Sequence, residues 1–405
     1  MKTRPLIGSV FILIIAGMGL ARASGFALSE LSIAGLSEGD ALVANTTTLG
    51  ALAYNPAAMA FHDSGYNIGL FGIYDRTEVT PAGGSGAVSA TTPSWETLPN
   101  LFGFYKISSH IRFGLGVNEP YGLQISWPAQ TFPELAVGPG TALAPTYTAV
   151  RLFDVSPSLS YRMGPVAIDV GADYYDTQKA ALQTPAASMT GSGEKFGGHI
   201  GFLAQLGQVS FGANYRSATN ILLNGTLSES GGSIPINTVL HLPWQFALGV
   251  HDAITPKIGM EFDFDRTGWN RFTDIVVTTA GTGGAALTTS SYNWQPANAY
   301  RLGLEYALSE DVQLRAGYAY DETGATNTDF SARIPDANRQ DLSFGASQRL
   351  GAWSLSAGYM YVHFDTRTYT SGTLPTTDPN GTSAYNGTYK THAQLFGVSI
   401  SRRFS

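Results

Sequence analysis

The chain has 405 residues, with 23 Lys and Arg against 30 Asp and Glu, and it contains no cysteine. That excludes a disulfide framework, a thiolate zinc site and a thiol nucleophile, and a net charge of −7 without any basic cluster excludes a phosphate-tracking nucleic-acid surface. Charged residues make up only 13%, against about 25% in ordinary soluble proteins.

The first element is an export signal. Lys2 and Arg4 precede an apolar run from Leu6 to Leu20, and Ala21-Arg22-Ala23 is an A-x-A cleavage site. The run is too short to span a bilayer comfortably as an anchor, so residues 1–23 are expected to be removed and the mature chain to begin at Ser24. Losing Lys2, Arg4 and Arg22 takes the net charge from −7 to −10.

Next comes Ala53 to Gly65, AYNPAAMAFHDSG. Asn55 is placed to cap a helical turn whose first position is Pro56, where a missing N–H costs nothing. Small residues after it, Ala57 and Ala58, suit close packing. The stretch therefore reads as a short capped helical turn ahead of the strands, with a linker into the first strand as the alternative.

From residue 66 onward the chain alternates. In Val166–Tyr175 the apolar face is Val166, Ile168, Val170, Ala172 and Tyr174, opposite Asp169, Gly171 and Asp173. Val312–Tyr320, Trp353–Tyr361 and Trp244–His251 show the same period of two. Short turns are expected near 108–110, 162–165, 206–208, 254–257, 308–311 and 350–352. Long polar connections are expected near 81–97, 121–146, 178–194, 225–238, 279–292, 322–338 and 367–388. Six short turns alternating with seven long loops give fourteen strands, with the asymmetry of outer-membrane barrels. Phe396, Val398, Ile400 and Phe404 share one face of the last strand, although such barrels usually end on the aromatic and here Ser405 follows.

The expected fold is thus all-β: a 14-stranded antiparallel transmembrane β-barrel over residues 66–405, in the outer membrane of a Gram-negative bacterium. Several stretches, in order, resemble the FadL family of outer-membrane transporters of long-chain fatty acids and other hydrophobic compounds. They are Ser24-Gly25-Phe26-Ala27-Leu28, Asn55-Pro56-Ala57, Pro120-Tyr121-Gly122-Leu123, Trp244-Gln245 through Trp269, and Ile334-Pro335-Asp336 with Arg339, Leu342 and Ser343. Between Leu36 and Ala44 the chain looks shorter than the family's usual hatch.

The resemblance implies a mechanism. Apolar extracellular loops capture a ligand, an internal pocket receives it, the hatch gates the lumen, and an inward kink of the third strand opens the wall sideways. The resemblance implies that residues 24–65 form this small, partly helical hatch (plug) in the lumen, with Ser24, Gly25, Phe26, Asn55, Pro56 and Ala57 as its hatch and gating residues. For the third strand, Gly114, Gly116, Asn118 and Pro120 weaken the ladder, since Gly adds freedom and Pro cannot donate. Glycines that merely relieve lumen crowding explain the spacing equally well, and the resemblance favours the kink. In the second long loop, Tyr121, Leu123, Ile125, Trp127, Phe132 and Leu135 form an apolar surface suited to capture, or else a loop core packed on itself.

Strand phase puts Glu261, Asp263, Asp265, Arg301 and Glu305 in the lumen, with Arg216 and Arg315. Most of these read as acid–arginine pairs that hold the barrel's shape. Arg216, Arg301 and Arg315 are also candidates for binding a fatty-acid carboxylate, which a guanidinium holds bidentately. None of the seven histidines has a metal or nucleophile-elbow spacing, so no metal, cofactor or catalysis is expected. The expected partners are a hydrophobic small molecule and outer-membrane lipid, with the chain a monomer. Small aromatic hydrocarbons are the alternative ligands, and a general porin or an outer-membrane lipid hydrolase are the rival functions.

Overall fold

A computed structural model describes residues 25–82, 87–135, 143–281, 283–376 and 378–404. The export signal at 1–23, Ser24 and Ser405 lie outside the described residues.

Fourteen antiparallel strands close into a barrel. In chain order the first six are β1 (Ser64–Pro81), β2 (Trp95–Lys106), β3 (Ile111–Ser126), β4 (Tyr147–Met163), β5 (Val166–Gln183) and β6 (Ala187–Leu206). The next four are each interrupted: β7 (Val209–Arg216 and Thr219–Glu229), β8 (Gly232–Leu242 and Gln245–Thr255), β9 (Ile258–Thr267 and Asp274–Thr279) and β10 (Ala286–Ser291 and Ala297–Ala307). The last four are β11 (Val312–Asp321), β12 (Arg339–Leu350), β13 (Trp353–Phe364) and β14 (Gly387–Phe404). β14 pairs with β1 from Ser64↔Phe404 to Pro81↔Gly387, which removes the sheet edge.

The period of two sorts each strand between lumen and membrane. On β5, Ala167, Asp169, Asp173 and Tyr175 are buried inside, while Ile168 and Val170 stand exposed on the outer wall with Leu70, Phe113, Phe211, Leu302 and Val398. Such a wall is stable against hydrocarbon, where closed pairing also satisfies every backbone group. The six short turns fall where the alternation predicts them.

Two of the expected long loops are instead mostly strand, and a third, 279–292, is strand over 286–291. β5 and β6 run on to a tight turn at 184–186, and β7 and β8 meet at 230–231, so 178–194 and 225–238 are mostly extended hairpins. Ala180, Leu182, Met189, Leu223, Leu227, Ile234 and Ile236 continue the alternation through stretches whose Gly, Ser and Thr read as loop. Thr is β-branched and suits a pleated strand.

Residues 25–63 fill the lumen. α1 (Ile33–Ser37) is capped by Ser32, whose hydroxyl accepts from Gly35 N–H. Two 3-10 turns follow, Leu49–Ala53 capped by Thr48 and Pro56–Phe61 capped by Asn55. The hatch backbone lies hard against the wall: a Cβ on Gly317 of β11 would sit 2.0 Å from the Glu38 carbonyl carbon. Only glycine permits that approach.

Candidate functional site

The barrel holds the hatch by its polar atoms. Asn55 is fully buried, and its Nδ2 donates to the carbonyls of Val43 (2.8 Å) and Phe202 of β6 (2.9 Å), while its Oδ1 accepts from Ala57 N–H. Asp263 and Glu261 of β9 accept the N–H groups of Val43 and Ala44. Arg315 of β11 pairs with Glu38 at 2.6 Å. At the short-turn end, Arg112 donates to the His62 carbonyl and Arg403 to that of Thr47. Within the hatch, Tyr54 Oη donates to Asp40 at 2.6 Å, and burial, with Glu30 nearby, pushes the Asp40 carboxyl up to about 8.

At its other end the hatch reaches an aromatic cluster. The four strand interruptions lie at one level, with Arg216, Gln245, Thr267 and Ala297 in register beneath them. There Trp269, Phe272, Tyr292 and Trp294 are buried, and Phe26 inserts among them, 4.8 Å from Trp269 and 5.3 Å from Phe272 between ring centroids. Gly25 N–H donates to Asp336 at 3.0 Å.

Above this floor lies a cavity of about 620 Å³ enclosed by the extended hairpins. That size suits one small-molecule ligand, for which sites run about 300–1,000 Å³. Its wall is aliphatic, from residues such as Val150, Leu182, Leu223, Ile236 and Val277, over Phe26, Phe272 and Tyr292. Arg333, from the 322–338 connection, also lines it. The Arg333 side chain is buried, donates to Ser290 Oγ at 2.8 Å, and makes no ion pair among the described residues.

The hydrogen-bonded ladder of the wall is interrupted between β2 and β3. Their ladder runs only from Lys106↔Arg112 to Leu101↔Val117. Beyond it, β3 is bulged against β4 between Asn118 and Tyr121, and its backbone turns to the hatch: Leu28 N–H donates to the Pro120 carbonyl and Gly122 N–H to that of Phe26. The strands meet again where Thr92 N–H donates to the Ser126 carbonyl. Across the interval, side chains replace the ladder. Gln124 donates to Glu96, and Arg151, paired with Glu119, reaches the Thr97 carbonyl.

These contacts relocate several residues singled out from sequence. Gly114 and Gly116 lie in regular ladder, and their missing side chains make room for Met59 of the hatch and for Ser156 and Phe102. The bend belongs to Asn118, Glu119 and Pro120. Tyr121, Ile125, Trp127, Phe132 and Leu135 are not an exposed capture surface. Tyr121 joins the aromatic cluster at the cavity floor. The others pack with Phe330, Tyr369 and Tyr385 into the core of a cap at the long-loop end of the barrel. Trp127 is 4% exposed and donates its indole N–H to the Ala332 carbonyl. Leu123 alone of the six lines the cavity while only half-buried. The three candidate arginines are all engaged by acids: Arg216 by Asp154 and Asp173, Arg301 by Asp265 and Asp321, and Arg315 by Glu38. Arg333 escaped notice because nothing local distinguishes it; its one signal was its place beside Ile334-Pro335-Asp336.

A family described as "Outer membrane protein transport protein (OMPP1/FadL/TodX)" matches residues 14–404. A long-chain fatty acid transport protein of Escherichia coli is 24% identical over 81% of this chain and 71% of its own. The fold is shared with a FadL homologue of Pseudomonas aeruginosa (TM-score 0.80, 16% identity, 94% of this chain and 100% of that one). It is shared too with the toluene transporter TodX of Pseudomonas putida (TM-score 0.69, 16% identity, 95% and 99%).

Proposed function

The chain belongs to the outer membrane protein transport protein family that includes FadL and TodX, and from that premise we propose that this transporter of hydrophobic compounds carries long-chain fatty acids. The observation behind the choice is Arg333, a cation with no acidic partner among the described residues, set in a largely apolar cavity whose lining also includes Glu229. An acyl tail fills the aliphatic part, and the guanidinium, already fixed by Ser290, receives the carboxylate bidentately. The name of the Escherichia coli relative points the same way.

The route follows from what is blocked and what is not. The hatch fills the lumen beneath the cavity, so a straight path is closed. Capture occurs at the cavity mouth, where Leu123 is half-buried, and the cap core supports it. Displacement of Phe26 from the floor couples the ligand to the hatch. Release is lateral, through the unpaired interval between β2 and β3, so the tail passes from cavity to bilayer without crossing water. The barrel acts as a monomer, with its apolar wall in outer-membrane lipid.

A second reading rests on the aromatic floor. Phe26, Phe272 and Tyr292 offer ring edges and faces to a small aromatic hydrocarbon, and TodX is named as a toluene transporter. Calorimetric titration of the purified protein with oleate and with toluene separates the two. Arg333→Leu is expected to weaken oleate binding by about 10- to 100-fold, the value of one or two hydrogen bonds to a charged group, and to leave toluene unaffected. Tight toluene binding with no oleate binding would instead select the second reading.

A further inference from the structure

The lower lip of the wall interval carries two polar side chains that the structure leaves uncommitted. Asn100 of β2 and Asn118 of β3 stand one residue beyond Leu101↔Val117, the last pair of the ladder. They are 3% and 2% exposed, and neither Oδ1 nor Nδ2 of either has a hydrogen-bond partner among the described residues. Asn100 lies over Gly69, where a Cβ would come within 2.7 Å of its Oδ1. Asn118 faces Asp154 across the β3–β4 register.

Of the charged groups around the lip, Glu119 is engaged by Arg151 and Glu96 by Gln124 and Ser94, while Asp154 is engaged by Arg216 through Oδ2 and its Oδ1 has no partner among the described residues. The two amides thus supply uncommitted donors and acceptors where the wall is unpaired, and buried polar groups are otherwise almost always satisfied.

We propose that Asn100 and Asn118 form a head-group subsite that receives the carboxyl of a fatty acid while its tail enters the bilayer through the β2–β3 interval. This rests on the lateral-release reading above. An amide suits the task because it carries both a donor and an acceptor. Its NH2 donates to a carboxylate, and its Oδ1 accepts from the O–H of the neutral acid, so the head is held in either protonation state. An arginine would bind the carboxylate too firmly to let it follow the tail. The neutral amides bind less strongly, which matches a station on a path rather than an endpoint.

The test is transfer of labelled oleate and of 1-octadecene, a chain of the same length without the head, by protein reconstituted into liposomes. Asn100→Leu/Asn118→Leu keeps the volume and removes the amides. Oleate transfer is expected to fall about tenfold, the value of one hydrogen bond to a charged group, with octadecene transfer and oleate affinity for the cavity unchanged. Unchanged oleate transfer, or an equal loss for both compounds, overturns the subsite. A parallel arm cross-links Glu96→Cys to Gln124→Cys across the interval. If the linked protein still passes oleate, lateral release itself is wrong. If linking blocks oleate while the asparagine variant transfers it normally, the subsite alone is wrong.

Discussion

Asn55→Ala tests the attachment of the hatch. The native side chain donates to two carbonyls, Val43 in the hatch and Phe202 in the wall, and caps the turn at Ala57. Alanine leaves both buried carbonyls without this donor, at roughly 1–3 kcal/mol each, and removes a cap worth about 1 kcal/mol. The strand ladder is untouched, so this loss of roughly 3–7 kcal/mol falls on the hatch and not on the barrel. At about 1.4 kcal/mol per decade, transient opening of the hatch should become at least about a hundredfold more frequent. Hydrogen exchange across Val43–Phe61 reads this directly, with strand amides as the internal reference. Single-channel recording reads the same event as added leak. Unchanged exchange in that segment, together with a wild-type baseline, would refute the role assigned to Asn55.

Three further perturbations separate neighbouring explanations. Trp127→Ala should cost about 3–5 kcal/mol of local packing, as large aromatic deletions do; limited proteolysis should then cut the cap faster while oleate affinity holds. A lost affinity with an intact cap would return Trp127 to ligand capture. Gly114→Leu should push against Met59 and loosen the hatch, seen as faster exchange around Ala57–Phe61, whereas a change confined to the β2–β3 interval would make Gly114 part of the bend after all. Arg315→Met leaves Glu38 buried without its partner, at about 3–5 kcal/mol for one member of a buried pair. Acid pH should recover part of that loss, because protonation removes the stranded charge. A thermal melt insensitive to both the substitution and pH would contradict it.

Much of the barrel was legible because strand alternation is local. Ile168 and Val170 against Asp169 and Asp173 needed no partner to be assigned to wall and lumen, and each short turn was framed by two such runs. The extended hairpins were less legible, since Thr, Ser and Gly belong to strands and loops alike; Ile234 becomes informative only once Leu227 pairs across from it. The site depended most on distant register. Arg216 could be read as a lumen pair or a carboxylate site, and its acids stayed unnamed until closure brought Asp154 and Asp173, 62 and 43 residues away, to its guanidinium. Trp127 and Phe132 were ambiguous for the same reason, because the residues that bury them, Phe330 and Tyr385, come from other loops. Asn55 was readable as a cap, but its hold on Phe202 was not.

Lateral release is tested most directly at the β2–β3 interval. The chain has no cysteine, so Glu96→Cys and Gln124→Cys can be joined by a short, reductant-cleavable linker with no background reaction. Oleate binding to the cavity should survive linking, oleate transfer into the liposome bilayer should stop, and reductant should restore it. Transfer at the same rate with the linker in place would mean that the ligand leaves by another path.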